Sequence, residues 1–196
     1  MSIAIRAATA DRWDDLVTVF GRRGDDPSWC WCQLFLHSNT SGSSESKPTS
    51  DNREALHREV AHAKVAPGLI AYEGDRPVGW TRVGPRSGFP GVLDNRSLTR
   101  VLTDDDHQVW WVACFAVDSH YRRSGVGLAL LRAAVDFARE HGATAVEGYP
   151  VDATALKAAS VAGSALYTGT MAMFASAGFI EVARPTGTRP LMRIRI

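Results

Sequence analysis

The stretch Val117-Asp118-Ser119-His120-Tyr121-Arg122-Arg123-Ser124-Gly125-Val126-Gly127-Leu128 combines residue types and spacing suited to holding a phosphorylated ligand. Glycines at 125 and 127 would let anionic oxygens approach the backbone without meeting a Cβ. Arg122 and Arg123 add planar guanidiniums, which match phosphate oxygens bidentately. Gly125 also opens a strongly patterned helix, and a helix N-terminus offers unpaired N–H groups and the positive end of a dipole. The dipole alone contributes about 0.3–1 kcal/mol, so directed N–H bonds and the arginines would carry most of the affinity. Two other phosphate loops do not fit. No Lys follows Gly127, as Gly-x-x-x-x-Gly-Lys-Ser/Thr demands, and Leu130 stands where a dinucleotide fingerprint needs its third glycine. The competing reading is a helix start that uses glycine only for packing.

Several elements must position this loop. Before it, Val109 to Val117 is a long apolar run with β-branched and aromatic residues, which predicts a buried central strand. After it, Gly125 to His141 reads as the clearest helix, with Val126, Leu130, Ala134 and Phe137 on one stripe and Gly142 at its end. Upstream, Ile3 to Arg6 suggests a first strand. A helix follows with Thr9 as N-cap and Trp13, Leu16, Val17 and Phe20 at helical spacing, closed by Arg22-Arg23-Gly24. The segment 37–50 is rich in Ser, Thr, Asn and Gly, and reads as a mobile loop before a helix capped by Asp51. Leu69 to Tyr72 and Val78 to Val83 form an expected hairpin about Gly74, with 84–91 as a loop. Ala145 to Val151 predicts a strand and Thr168 to Ala177 a short helix. Phe179 to Val182 with Leu191 to Ile196 predicts a closing hairpin. The order gives one α/β or α+β domain over 1–196.

Bulk properties leave the anion site local. The chain has 196 residues, 45% hydrophobic and 22% charged, with a net charge of +1, so no global field draws it to nucleic acid or an anionic membrane. No apolar run approaches the roughly 20 residues of a membrane span, and the N-terminus does not read as a secretory signal. Three cysteines, with Cys30 and Cys32 one residue apart, make a poor disulfide framework, and a cytoplasmic protein is the expectation.

Arg122-Arg123-Ser124-Gly125-Val126-Gly127 resembles motif A of the GNAT superfamily of N-acetyltransferases, Gln/Arg-x-x-Gly-x-Gly/Ala. The order of elements is similar over essentially the whole chain. Phe174-Ala175-Ser176-Ala177-Gly178-Phe179 also looks like the family's motif B ending in Gly-Phe. The resemblance implies a central mixed, mostly antiparallel sheet with helices on both faces and a splay between the two central strands. It implies acetyl-CoA as co-substrate, with no metal. The backbone of Phe115, Ala116 and Val117 would hold the pantetheine arm. Amides of Arg123, Ser124, Gly125, Val126, Gly127 and Leu128, with Arg122, would hold the pyrophosphate. An acceptor amine of a small molecule or peptide would attack the thioester in the opening. No nucleic acid or membrane partner is expected, and a homodimer is left open.

The chain departs from the family where proton transfer is concerned. The motif B Tyr is Phe174, and the central strand Val109-Trp110-Trp111-Val112-Ala113 carries no Glu. A lysine-like amine has a pKa near 10.4, so attack needs a base or a desolvating pocket. Glu147 is the candidate base and Tyr167 the candidate acid, against solvent-facing and packing roles. Tyr149 shares a face with Glu147 by period-2 counting, and is a candidate proton donor and acceptor-side residue, against packing. Trp29 and Trp31, in Trp29-Cys30-Trp31-Cys32, are candidates for an aromatic acceptor wall or for a packed corner. Cys-x-Cys lacks the second ligand pair of a metal site. His37, His57, His62, His107 and His120 show no ligand spacing, and Asp104-Asp105-Asp106 reads as a solvated turn.

Overall fold

Seven strands form one sheet in the order β1-β2-β3-β4-β5-β7-β6 in the computed structural model, which describes residues 2–21, 29–37, 49–103, 108–158 and 163–196. The strands are β1 Ile3–Ala7, β2 Gly68–Glu73, β3 Arg76–Pro85, β4 Val109–Val117, β5 Ala145–Gly148, β6 Ile180–Thr186 and β7 Arg189–Arg195. Only the β4–β5 pair is parallel, which gives the mixed, mostly antiparallel sheet that the family resemblance implied. The Arg22-Arg23-Gly24 helix stop, 38–48 of the expected loop, Asp104-Asp105-Asp106 and His107 lie outside the described residues.

Alternation along the strands sends side chains to two sides. Leu69 and Ala71 of β2 join the cluster beneath α4 (Val126–Glu140), whereas Ile70 and Tyr72 join Leu16 and Phe20 of α1 (Trp13–Phe20) and Leu56 and Val60 of α2 (Thr49–His62). α4 buries Val126, Leu130, Leu131, Ala134, Val135 and Ala138, the stripe its sequence period specifies. On the α1–α2 side, a third cluster lies beneath α3 (Pro90–Leu93), gathering Phe89, Val92, Leu98, Trp111, Ala113, Tyr149 and Leu191.

Several boundaries differ from expectation. α2 starts at Thr49, so Asp51 lies inside it rather than at its cap. Residues 84–91 are not a plain loop: β3 runs to Pro85, and a 3-10 turn Arg86–Gly88 leads into α3, with Pro90 at its first position. Thr9 precedes a 3-10 turn, Ala10–Arg12, and its hydroxyl donates to Asp11 Oδ1 at 2.6 Å instead of capping α1. The expected helix 168–177 is a 3-10 turn, Gly163–Thr168, followed by α6 (Met171–Ser176), whose N-cap is Thr170. Between β5 and that turn lies α5 (Ala153–Ala158), begun by Asp152 Oδ1 accepting from the amides of Thr154 and Ala155 at 3.1 Å.

Strand β5 is shorter than the expected 145–151. It pairs with β4 only from Val109↔Ala145 to Val112↔Gly148, while β4 continues to Val117. The parting has steric causes. A Cβ on Gly148 would meet the Phe174 ring at 2.4 Å, so the ring of α6 wedges where the strands separate. Pro150 then lacks an N–H for further pairing. Val151 makes only an isolated parallel bridge to Thr170. On the β3 side, the register steps from Arg82↔Cys114 to Val83↔Val112, leaving Ala113 as the extra residue of a bulge. Strict alternation would place Val112 and Phe115 on opposite faces, but the bulge lets both join the α4 cluster. The opening that the resemblance implied therefore exists, floored by Phe115 and Phe174.

Candidate active site

The loop between β4 and α4 leaves the N-terminus of that helix open. Val126 is the first helical residue, and Ala129 N–H to Gly125 C=O at 2.9 Å closes the first turn. The amides of Val126, Gly127 and Leu128 precede that turn. Gly125 makes no side-chain cap, and no acidic residue stands in the first turn of α4. The positive end of the helix dipole is left for something else to neutralise.

The two glycines have different physical reasons. Gly125 has φ +90, and a Cβ there would meet nothing within 4 Å, so conformation and open approach both favour glycine. A Cβ on Gly127 would instead come within 3.0 Å of Met173 Sδ, so packing of α4 on α6 explains that one. The packing alternative thus accounts for Gly127 and not for Gly125. Arg123 also adopts positive φ, +62. Arg122 to Gly125 are exposed, and neither Arg122 nor Arg123 has an ion-pair partner among the described residues.

Ahead of the glycines the loop is tightly tied. Asp118 caps the 3-10 turn Ser119–Tyr121, its Oδ1 accepting from His120 N–H at 3.0 Å and lying 2.9 Å from His120 Nδ1. The His120 amide, helped by the His120 ring and Arg76, holds the Asp118 carboxyl below the usual carboxylate range. Ser124 Oγ donates to Tyr121 C=O at 2.5 Å.

Beyond the bulge, Phe115, Ala116 and Val117 form the half of β4 that β5 leaves unpaired. The Phe115 ring meets Phe174 edge-on at 6.3 Å, and Phe174 is wholly buried. Gly169 sits close by, since a Cβ there would lie 3.2 Å from Phe115 Cε2.

The candidate proton-transfer residues are not alike. Glu147 is wholly buried and faces neither solvent nor an unoccupied space. Its Oε2 accepts from Arg86 Nη1 at 2.9 Å, and its Oε1 accepts from Arg193 Nε at 2.9 Å and Nη2 at 2.6 Å. Arg193 is its cross-strand partner on β7, and Arg86 also donates to Thr103 C=O at 2.7 Å. Tyr167 lies on the 3-10 turn that packs against β4, 36% exposed, with its ring 6.3 Å from Phe35. Burial raises its pKa, and the Arg189 guanidinium works against that rise.

The acceptor-side candidates separate as well. Trp31 is 1% exposed, stacked on Trp13 at 6.0 Å and tilted against Phe20 at 4.7 Å, so it is the packed corner rather than a wall. Trp29 is half-buried at the margin of the same cluster. Tyr149 is buried in the α3 cluster with Trp111, the β4 neighbour of Glu147, its hydroxyl 3.5 Å from Thr186 Oγ1, so the face it shares with Glu147 is buried rather than open.

Two features were missed in the sequence. Arg86 and Arg193 make Glu147 the centre of a buried ion triad; the only signal was an isolated Glu in an apolar strand. Cys32 and Cys114, 82 residues apart, form a disulfide that ties the Trp29–Cys32 segment to β4, correcting the reading of the cysteines as a poor framework. Trp80 Nε1 donates to Cys32 Sγ at 3.3 Å. No helix among the described residues is long and apolar enough to cross a membrane.

A model of the acetyltransferase (GNAT) family matches residues 29–161. Among solved structures, the GNAT domain of S. lividans PAT is similar with a TM-score of 0.56 at 16% identity, covering 100% of this chain and 92% of that one. PaiA N-acetyltransferase from Thermoplasma acidophilum, solved in complex with coenzyme A, gives 0.54 at 14% identity over 100% of both chains. Ribosomal-protein-alanine N-acetyltransferase from Brucella melitensis gives 0.53 at 19%, covering 98% of this chain and 99% of that one. At such identities the likeness concerns the fold. No curated protein matches the sequence.

Proposed function

Because this chain belongs to the acetyltransferase (GNAT) family, we propose that it moves the acetyl group of acetyl-CoA, its co-substrate, to a primary amine of a small molecule or peptide. One observation above all supports this. An uncapped, acid-free helix N-terminus with two exposed arginines stands at the end of a central strand whose outer half lacks a β5 partner. That arrangement fits a ligand with a diphosphate at one end and an extended amide-bearing arm at the other.

Acetyl-CoA brings the thioester, and the neutral amine attacks its carbonyl as the coenzyme A thiol departs. The chain's residues divide the remaining work. The amides from Arg123 to Leu128, with Arg122, hold the diphosphate, and the unpaired backbone of Phe115 to Val117 holds the pantetheine arm. Phe115 and Phe174 give the opening an apolar floor that keeps water off the thioester. Tyr167 donates the proton to the leaving thiolate; its raised pKa keeps it protonated at neutral pH. Glu147, expected as the base, has both oxygens engaged by guanidiniums, so we assign it the task of fixing β5 against β7 at the parting point. The amine then loses its proton to solvent, and turnover climbs with pH towards the amine's own pKa, about 10.4 for a lysine-like acceptor. Trp29 borders the acceptor side, with Tyr149 shaping it from beneath.

A second reading is an acyl-CoA-binding module with little turnover, favoured by Phe174, which has no hydroxyl to offer. Thiol release from acetyl-CoA across a panel of primary amines separates the two. Release that depends on one class of amine supports the transferase. Thermal protection by acetyl-CoA with no release from any amine supports the binding module.

A further inference from the structure

We propose that Asp118 and Arg76 are positioning residues that hold the diphosphate loop in its binding conformation by clamping it to the tip of the β2–β3 hairpin. The inference rests on the reading of Arg122–Leu128 as the diphosphate site, and extends it to residues that touch no ligand.

The loop has a conformational problem. Arg123 at φ +62 is a side-chain-bearing residue in the left-handed region, a strained conformation that persists only where its surroundings over-determine it. Gly125 at φ +90 adds a freely swivelling residue. Left alone, Arg122 to Gly125 would sample many shapes, and a ligand would have to order them on binding.

The hairpin tip supplies the restraint. Arg76 Nη2 donates to Asp118 Oδ2 at 3.1 Å across 42 residues of sequence, while the other carboxylate oxygen caps the 3-10 turn through His120 N–H. The Arg76 guanidinium also lies 5.5 Å from the centre of the Tyr121 ring, and Glu73, from the same tip, raises the Tyr121 hydroxyl's pKa. Both ends of Ser119–Tyr121 are therefore gripped by one tip, and the next residues are Arg122 and Arg123. The strand just behind the tip is equally close. Asp118 N–H donates to Val78 C=O at 3.0 Å, and a Cβ on Gly79 would come within 2.7 Å of Val126 Cγ1 at the start of α4. Strand, turn and helix start thus share one frame.

Charge supports the same assignment. A carboxylate next to a diphosphate would repel it, but Arg76 neutralises Asp118 in place. Arg76 is 59% exposed, and exposed ion pairs contribute little to global stability, so loss of the clamp should appear in ligand binding rather than in melting.

Isothermal titration of the full chain with coenzyme A tests this, alongside ligand-observed NMR titration with pantetheine, which lacks the diphosphate. Asp118→Ala should raise the Kd for coenzyme A about tenfold and Arg76→Met about fivefold. Pantetheine binding should stay within twofold of the parent in both variants, and the melting temperature of Arg76→Met within about 2 °C. Arg76→Lys should restore most of the affinity. Coenzyme A affinity within twofold of the parent in both variants would overturn the clamp, as would equal weakening of coenzyme A and pantetheine. A parent protein that binds coenzyme A no better than pantetheine would remove the diphosphate site itself, and the clamp with it.

Discussion

Replacing Glu147 by Gln puts the two readings of that carboxylate in direct opposition. In the native protein its two oxygens receive three N–H bonds, from Arg86 Nη1 and from Arg193 Nε and Nη2. Their side chains are 8% and 17% exposed, so solvent screens neither guanidinium well. Glutamine keeps one accepting oxygen but turns an NH2 towards a cationic donor, and it removes the carboxylate charge that Arg86 and Arg193 share. Breaking a buried ion pair in this way costs about 3–5 kcal/mol. For a chain of this size each kcal/mol lowers Tm by about 2–4 °C, so Glu147→Gln should melt roughly 6–20 °C below the parent in calorimetry. Replacing the whole triad, as Arg86→Met, Glu147→Leu and Arg193→Met together, should recover much of that loss, because no unpaired charge remains. Activity gives the second readout. If Glu147 only fixes β5, the folded Gln variant keeps the alkaline rise in kcat/KM. A Tm within about 2 °C of the parent, together with loss of that rise, would refute the positioning argument and return Glu147 to the role of base.

Tyr167→Phe should lower kcat with acetyl-CoA about 100-fold or more, the usual scale for a lost general acid, and leave the affinity for coenzyme A unchanged; steady-state kinetics checks both. Because burial raises the Tyr167 pKa above its ordinary value of 10.0, its proton is present throughout the neutral range. The stability linked to that group is likewise intact below pH 10 and is lost only as pH rises through the folded value. A fall in kcat beginning near pH 8 that vanishes in Tyr167→Phe would contradict this. Gly125→Val should weaken coenzyme A at least tenfold, since a β-branched residue at φ +90 is strained and its side chain enters the space left for the anion; titration calorimetry measures it. Phe174→Tyr should not create the missing acid. A hydroxyl added to a wholly buried ring, without a partner, costs about 1–3 kcal/mol, read as a lower denaturation midpoint with no gain in kcat.

What the sequence could reveal depended on how local the cause was. β4 and α4 were legible because a nine-residue apolar run and a 3.6-residue stripe are produced by burial of neighbouring residues. The need for glycine at 125 was legible because a positive φ at a helix start is a local property. Glu147 was not. Its identity as the centre of an ion triad needs Arg86, 61 residues away, and Arg193, 46 residues away, and neither distance leaves a periodic trace. Strand counting ran β5 to residue 151 and put Tyr149 on the face of Glu147, where it does lie, buried in the α3 cluster with Trp111. The strand stops at Gly148 instead, because the Phe174 ring occupies the place of a side chain there.

That same contact explains how the opening can persist in a chain without the motif B tyrosine. The ring wedges between β4 and β5 by shape, and shape is what phenylalanine and tyrosine share. What differs is the hydroxyl, and Phe174 is sealed between Phe115, Phe179 and Gly148, where a hydroxyl would gain no solvent. In the proposed transfer, a proton donor would therefore stand at the rim rather than in the floor. We propose Tyr167 for it, on a turn that packs against β4, where partial burial raises its hydroxyl's pKa. On that proposal the wedge and the acid, which one tyrosine could combine, sit on two residues seven positions apart, so each should be open to mutation without the loss of the other.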